Sequence, residues 1–165
     1  MADGMRLFFL RHGPADRDQF DGDDDDLRPL VERGRQRMRA IAEVIARLDQ
    51  KIDTVVTSPL VRAAETAEIV ANRLGLQERL ITDERLGLDF DVQALAAILA
   101  GLKNDRRRIL LVGHEPSFSE VIGELTGGAV VVRKGALARV DLTPGQQQRG
   151  RLVWLLQPRV LITQD

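Results

Sequence analysis

Ile109-Leu110-Leu111-Val112 is the stretch of this 165-residue chain that says most about its fold. It contains no polar side chain, and Gly113-His114-Glu115-Pro116 follows it directly. A run this apolar is typical of a strand covered on both faces, and the glycine and proline after it indicate a turn. We therefore predict a central strand of a mostly parallel sheet at residues 109–112.

Further strands and helices are predicted to alternate around this strand. Short apolar or β-branched runs predict strands at residues 6–10, 52–57 and 80–82. Helical spacing of apolar residues predicts helices over 30–48, from Ser58-Pro59 to about 74, over about 92–102, and from about 117 to the glycines at 127 and 128. Ser58 is expected to be the N-cap of its helix, with Pro59 at the first helical position, and Gly75 to end that helix.

The C-terminal part of the chain has a different pattern. Residues 136–142 and 151–157 are predicted to be strands joined by the turn Thr143-Pro144-Gly145, an antiparallel hairpin at a sheet edge. Because strands otherwise alternate with helices, we expect an α/β layer fold, and the chain length favours a single domain over residues 1–165.

Composition excludes several kinds of site. The chain has no Cys and only two His, so thiolate nucleophiles, Cys-built zinc sites and His-rich metal cages are excluded. Its net charge of −1 argues against a global basic field for nucleic acid. The absence of Cys, of a signal peptide and of a long apolar run leads us to expect a cytoplasmic protein without a membrane partner.

Both histidines directly follow predicted strands. His12 comes after the strand at 6–10, and His114 comes after the strand at 109–112. Ligands of parallel sheets bind beyond the carboxyl ends of the strands, so two histidines at such ends predict a site. The pair could be a nucleophile with its partner or two metal ligands, although no zinc-like spacing is present. Taken alone, each histidine could instead have a structural role and cap the loop after its strand by hydrogen bonding.

Two arginines favour a phosphate site. Arg11 is next to His12, and Arg62 lies one turn into the helix predicted from Ser58. Guanidinium groups match phosphate oxygens, and a helix N-terminus attracts anions. Nearby cations would also lower the pKa of His12 and keep the ring neutral. Taken alone, Arg62 could equally pair with Glu65 or Glu68 on its own helix.

Three segments resemble the motifs of the histidine phosphatase (phosphoglycerate mutase-like) superfamily. These are Leu10-Arg11-His12-Gly13, the Ser-Pro-x-x-Arg-Ala-x-x-Thr pattern over 58–66, and Val112-Gly113-His114-Glu115-Pro116. They occur in the family's order, and the resemblance covers roughly residues 5–142. The short chain, with Leu27-Arg28-Pro29-Leu30 and then Gly34, most resembles the SixA-type phosphohistidine phosphatase branch. The resemblance implies a three-layer α/β/α sandwich with an antiparallel C-terminal edge.

The resemblance also implies roles for individual residues. His12 would attack phosphorus and become a phosphohistidine, while Arg11, Arg62 and His114 would hold the phosphoryl oxygens. No metal or other cofactor would be required. Glu84 is the candidate general acid, with pairing to Arg85 as its alternative role, and Asp16 and Asp18 are further candidates. Ser58 is expected only to cap its helix.

The resemblance leaves three functions open. The expected one is removal of phosphate from phosphohistidine in a protein. The alternatives are hydrolysis of small phosphomonoesters, such as sugar or nucleotide phosphates, and non-catalytic binding of a phospho-ligand. The acidic run at residues 21–26 is interpreted either as a solvated loop or as a loop near the active-site mouth whose negative charge repels free anionic metabolites.

Overall fold

The structure, a computed structural model, describes residues 4–162. Over this span the chain forms a mixed sheet flanked by helices. The strands are β1 (Arg6–Arg11), β2 (Thr54–Thr57), β3 (Leu80–Thr82), β4 (Arg108–Gly113), β5 (Leu137–Thr143) and β6 (Gln146–Leu156). The helices are α1 (Glu32–Leu48), α2 (Val61–Leu74), α3 (Val92–Gly101), α4 (Ser117–Thr126) and α5 (Pro158–Leu161).

The sheet has the strand order β3-β2-β4-β1-β5-β6. The first four strands in this order are parallel, and β5 and β6 run antiparallel to their neighbours. The strand predicted at residues 109–112 is therefore central, since β4 lies between β2 and β1. The predicted C-terminal hairpin is also confirmed, although β6 begins at Gln146 and not at residue 151.

Alternate residues of the central strands point to opposite faces of the sheet, and each face is covered by helices. One core cluster contains Phe9 and Leu111 with side chains of α3 and α4. The other contains Phe8 and Leu110 with side chains of α1 and α2. The predicted three-layer α/β/α sandwich is thereby confirmed, and its physical basis is the absence of polar residues from these buried strands.

The predicted C-terminal ends of α2 and α4 are confirmed, but the predicted N-terminal end of α2 is not. Gly75 and Gly127 both adopt left-handed conformations, with φ of 68° and 76°, and end α2 and α4. In contrast, α2 begins at Val61 with Leu60 as its N-cap residue, so the prediction of Ser58 as N-cap and Pro59 as first helical residue is wrong. The Ser58 hydroxyl is bonded to another part of the fold, described below.

Two glycines allow the chain to pack closely around the end of β1. A Cβ on Gly34 of α1 would lie 2.2 Å from the Pro14 carbonyl oxygen, so only glycine lets α1 approach the segment after β1. Gly135 has φ +80°, and its N–H donates to the carbonyl oxygens of Arg11 (3.0 Å) and His12 (3.2 Å). The segment before β5 is thereby fixed against the residue that follows β1. None of the described helices is long and apolar enough to cross a membrane.

Candidate active site

A cleft of about 450 Å³ opens at the carboxyl ends of the parallel strands. His12 follows β1 and His114 follows β4, and both line this cleft together with Arg11 and Arg62. The structure therefore brings the four residues of the predicted phosphate pocket together. Among the described residues, the charged lining consists of five basic and three acidic side chains: Arg11, Arg17, Arg28, Arg62, Lys134, Asp16, Asp18 and Glu115.

The two imidazole rings face each other. Their centroids lie 5.3 Å apart with an angle of 55° between the ring planes. The sheet produces this proximity, because Arg11 pairs with Gly113 across β1 and β4 and the His12 N–H donates to the Gly113 carbonyl oxygen (3.1 Å). Two residues separated by about a hundred positions in sequence are thus neighbours through strand pairing.

The tautomer of His12 is fixed by its main-chain surroundings. Its Nδ1 lies 2.7 Å from the carbonyl oxygen of Gly13, which can only accept a hydrogen bond, so Nδ1 carries the hydrogen. The pKa of His12 is lowered to about 3, chiefly by burial; the hydrogen bond to Gly13 opposes this shift, and the neighbouring His114, Arg62 and Arg11 add to it. The ring is therefore neutral near pH 7, and Nε2 bears a free lone pair.

Thr66 connects the His12 loop to helix α2. Its buried hydroxyl accepts a hydrogen bond from the Gly13 N–H (3.1 Å) and donates one to the Arg62 carbonyl oxygen (2.8 Å). Gly13, whose carbonyl oxygen accepts from His12 Nδ1, is therefore held by the same helix that carries Arg62. This explains why Thr66 closes the sequence pattern over 58–66.

His114 is buried and pairs with a hydroxyl group. Its Nε2 lies 2.7 Å from Ser58 Oγ, and Ser58 follows β2, the strand on the other side of β4 from β1. Burial lowers the pKa of His114 to about 4, and the positive charges of Arg62, Arg11 and Arg28 contribute. The second histidine is therefore also neutral near pH 7.

Three buried nitrogen atoms at the cleft have no acceptor or donor partner within residues 4–162. They are Arg11 Nε, Arg62 Nε and His114 Nδ1. Buried polar groups in proteins nearly always have hydrogen-bond partners. Because all three side chains line the cleft, these atoms indicate that the site is built to bind an acceptor-rich group, and a phosphoryl group has the oxygens to satisfy them.

The acidic run contributes one residue to the arginine cluster. Asp25 accepts hydrogen bonds from Arg28 through both carboxylate oxygens (2.8 and 3.2 Å) and pairs with Arg17. Its carbonyl oxygen accepts from Arg62 Nη1 (2.9 Å). These arginines hold the pKa of Asp25 far below its usual value, chiefly through the Arg28 hydrogen bond. Asp25 thus faces inward, while the other four aspartates of the run are exposed.

Sequence reasoning missed Arg28, Lys134 and Glu115 as lining residues. In the sequence, Arg28 is only part of the 27–30 pattern; it reaches the cleft because the loop after β1 is held against α2 by the bonds of Asp25 to Arg62 and of Leu30 to Glu65. Lys134 forms no ion pair in the part of the chain that the structure describes. Its pKa is lowered, mainly by burial and next by Arg11.

The structure does not bring Glu84 into the cleft. Its side chain is exposed at the start of a short 3-10 helix, Glu84–Leu86, and it is not among the lining residues. The alternative prediction, pairing with Arg85, is wrong, because Arg85 pairs with Asp83 at 2.7 Å. The adjacent Asp83 is the better partner since it also accepts from the Arg85 N–H.

The carboxylates that do line the cleft are mostly engaged with other groups. Asp16 pairs with Arg33. Glu115 accepts from the Ser119 N–H (3.0 Å) and the Ser119 hydroxyl (2.5 Å) near the start of α4. Asp18 is exposed. No group of three or more carboxylate or histidine side chains suited to holding a metal ion occurs over the 4–162 span.

Comparison with known proteins agrees with this geometry. The model of the histidine phosphatase superfamily (branch 1) matches residues 7–87. Phosphohistidine phosphatase SixA of Escherichia coli is 28% identical over 155 residues, covering 93% of this chain and 94% of that protein. An uncharacterized protein of Picosynechococcus is 36% identical over 121 residues, which is 70% of each chain.

A solved structure of the protein histidine phosphatase SixA complexed with tungstate is similar throughout. It superposes with a TM-score of 0.84 at 28% identity and covers 96% of this chain and 100% of that one. The motifs, the fold and the arrangement of His12, His114, Arg11 and Arg62 lead to one conclusion. This chain belongs to the histidine phosphatase superfamily.

Proposed function

We propose that this protein is a metal-independent phosphatase that uses His12 as its nucleophile and removes the phosphoryl group from phosphohistidine in a protein. The observation that carries the proposal is the state of His12. Its Nδ1 donates to Gly13 and its ring is neutral, so Nε2 has a lone pair inside a cleft lined by guanidinium groups. That is the requirement for in-line attack on phosphorus.

The reaction proceeds in two steps. A bond forms between His12 Nε2 and phosphorus while the bond from phosphorus to the substrate nitrogen breaks, which leaves a phosphohistidine on the enzyme. Water then attacks that phosphorus, the bond to Nε2 breaks, and inorganic phosphate departs. Arg11, Arg62 and His114 donate hydrogen bonds to the phosphoryl oxygens and stabilise charge in both transition states. Arg28 adds a further positive charge at the cleft.

The carboxylates of the cleft favour a nitrogen leaving group over an alkoxide. An alkoxide needs a proton from a positioned acid, yet Asp16 is paired with Arg33 and Glu115 is bonded to Ser119. Asp18, the remaining carboxylate of the lining, is exposed and is not positioned by any hydrogen bond within the described residues. A phosphohistidine substrate brings a second ring nitrogen that can already be protonated, so it leaves as a neutral imidazole. The similarity to SixA over nearly the whole chain supports the same substrate class.

The decisive experiment traps the phosphoenzyme. A protein carrying ³²P-phosphohistidine is mixed with the enzyme, and the label is followed on the enzyme under alkaline conditions. We expect a transient label that is stable in alkali and labile in acid, together with release of phosphate that is unaffected by EDTA. His12→Ala should form no phosphoenzyme. Loss of turnover in EDTA, or an intact phosphoenzyme in His12→Ala, would contradict the mechanism.

A substrate comparison tests the leaving-group argument. We expect turnover of phosphohistidine protein to exceed that of an alkyl monoester such as glycerol phosphate by a wide margin. Glu84→Gln is the matched variant, because it removes the acid predicted from sequence without touching the cleft, and it should leave both activities unchanged. Efficient turnover of alkyl esters with none of phosphohistidine would transfer the proposal to small phosphomonoesters. Binding without turnover would make the protein a phospho-ligand binder.

A further inference from the structure

Ser58 and His114 form a fully buried side-chain pair from two neighbouring strand ends. Ser58 is 0% exposed and His114 is 2% exposed. The Ser58 N–H donates to the Val112 carbonyl oxygen (3.0 Å), so strand pairing fixes the serine beside the segment that carries His114. The contact between Ser58 Oγ and His114 Nε2, at 2.7 Å, is therefore held in place by the pairing of β2 and β4 at their carboxyl ends.

The direction of this hydrogen bond follows from the other contact of the hydroxyl. A serine hydroxyl has one hydrogen to donate and two lone pairs to accept with. The Leu60 N–H donates to Ser58 Oγ (3.2 Å) and occupies a lone pair. Among the described residues, His114 Nε2 is the other partner of Oγ. If Nε2 carried a hydrogen, the buried hydroxyl hydrogen would have no acceptor, which is costly in the interior of a protein.

We propose that Ser58 is a positioning residue whose hydroxyl donates to His114 Nε2 and so places the ring hydrogen of His114 on Nδ1. Resting on the proposed phosphatase function, this makes Nδ1 the donor to a phosphoryl oxygen. The buried Nδ1 has no other partner within the described chain, which fits that assignment. A hydrogen bond in this direction requires a neutral ring, and the lowered pKa of His114 provides one.

The two histidines thereby act differently with the same tautomer. His12 uses its Nδ1 hydrogen on Gly13 and keeps the Nε2 lone pair for attack. His114 has its Nε2 lone pair occupied by Ser58 and keeps the Nδ1 hydrogen for the phosphoryl oxygen. The opposite tautomer of His114 would place a lone pair against those oxygens and repel them. Ser58 therefore acts on the reaction only through His114.

The test uses the ring nitrogens of the two histidines in ¹⁵N-histidine-labelled protein. Nitrogen chemical shifts distinguish protonated from unprotonated ring nitrogens, and the chain has only two histidines to assign. In the wild type near pH 7, we expect His114 to show a protonated Nδ1 and an unprotonated Nε2. A protonated Nε2 in the wild type would overturn the proposal directly, without any variant.

Ser58→Ala and Ser117→Ala form a matched pair of variants. Ser117 Oγ donates to the main-chain oxygen of His114 (3.0 Å), so it contacts the same residue without touching the ring. We expect Ser58→Ala to shift the His114 tautomer toward protonated Nε2, and Ser117→Ala to leave it unchanged. An unchanged tautomer in Ser58→Ala would refute the role of Ser58, as would an equal shift in both variants.

Kinetics supply the second readout. Loss of one oriented donor to the transition state commonly lowers turnover on the order of a hundredfold. Because Ser58→Ala retains the His114 ring, we expect kcat to fall by roughly tenfold with a smaller change in KM. The NMR result does not depend on turnover. A wild type with the expected tautomer but no phosphohistidine activity would refute the proposed function alone, and normal kcat in Ser58→Ala would refute this inference alone.

Discussion

Mild acid should destabilise this protein through His12. The pKa of His12 is about 3 in the folded protein and 6.5 in an ordinary environment, because burial disfavours the charged ring. Below pH 6.5 the unfolded chain therefore binds a proton that the folded chain does not. The free energy of unfolding must then fall as the pH is lowered from 6.5 toward 3.

The loss in free energy of unfolding follows from the difference between the solution pH and the ordinary pKa of histidine. At pH 5 the solution is about 1.5 pH units below the ordinary pKa of histidine, and each unit is worth about 1.4 kcal/mol. His12 alone should thus lower the free energy of unfolding by about 2 kcal/mol between pH 7 and pH 5. Asp25, whose folded pKa is depressed, contributes stability above its ordinary pKa of 3.8 and loses it only below that value, so it does not act in this window.

The assay is urea unfolding of the wild type and His12→Gln at pH 7 and pH 5. The fluorescence of Trp154, the single tryptophan, reports the core because its ring packs 6.1 Å from that of Phe8. Buffers must be free of phosphate, since an anion that binds only the folded protein would stabilise it. His12→Gln retains His114 and every carboxylate, so the two proteins differ in one titrating group.

The expected result is a loss of stability on acidification that is smaller by about 2 kcal/mol in His12→Gln than in the wild type. Equal losses in the two proteins would show that His12 is not held neutral by burial. The folded-state pKa of His12 would then be near its ordinary value of 6.5, and the lone pair on Nε2 would no longer be protected from protonation by the cleft.

Three substitutions test other parts of the cleft. Arg62→Ala should lower turnover by on the order of a hundredfold or more in steady-state assays, whereas Arg73→Ala on the same helix, which pairs with Glu43, should not. Thr66→Val should lower the free energy of unfolding in urea by about 1–3 kcal/mol, because the buried Gly13 N–H loses its acceptor; unchanged stability would contradict that contact. Lys134→Met should weaken tungstate binding in calorimetry by roughly threefold to tenfold, an effect that added salt should diminish if the attraction is electrostatic.

The fold was predictable because its informative features are local. The apolar run before Gly113, the helical spacing of the flanking segments and the glycines at 75 and 127 all depend on neighbours in sequence. The family was predictable for a related reason, since three short motifs carry it, and membership of a phosphatase superfamily agrees with the predicted enzyme class.

The juxtaposition of His12 and His114 could also be predicted, because the carboxyl ends of adjacent parallel strands meet at one edge of a sheet. Arg28 and Lys134 could not be placed in the same way. They reach the cleft on long connections whose course depends on tertiary contacts, such as those of Asp25 and Gly135. Local rules also misassigned Ser58, because its hydroxyl bonds to His114, which is 56 residues away.

Strand pairing sets the separation of the two imidazoles. Arg11 and Gly113 are register partners, and the ring centroids lie 5.3 Å apart, close to the spacing of about 4.8 Å between neighbouring strands. The connections around the cleft can therefore be exchanged by recombination or by engineering without altering the reactive distance. Replacing the segment between Pro14 and Val31, which carries Asp25 and Arg28, should therefore change which phosphorylated molecule binds, while the separation of the two imidazoles stays set by the sheet.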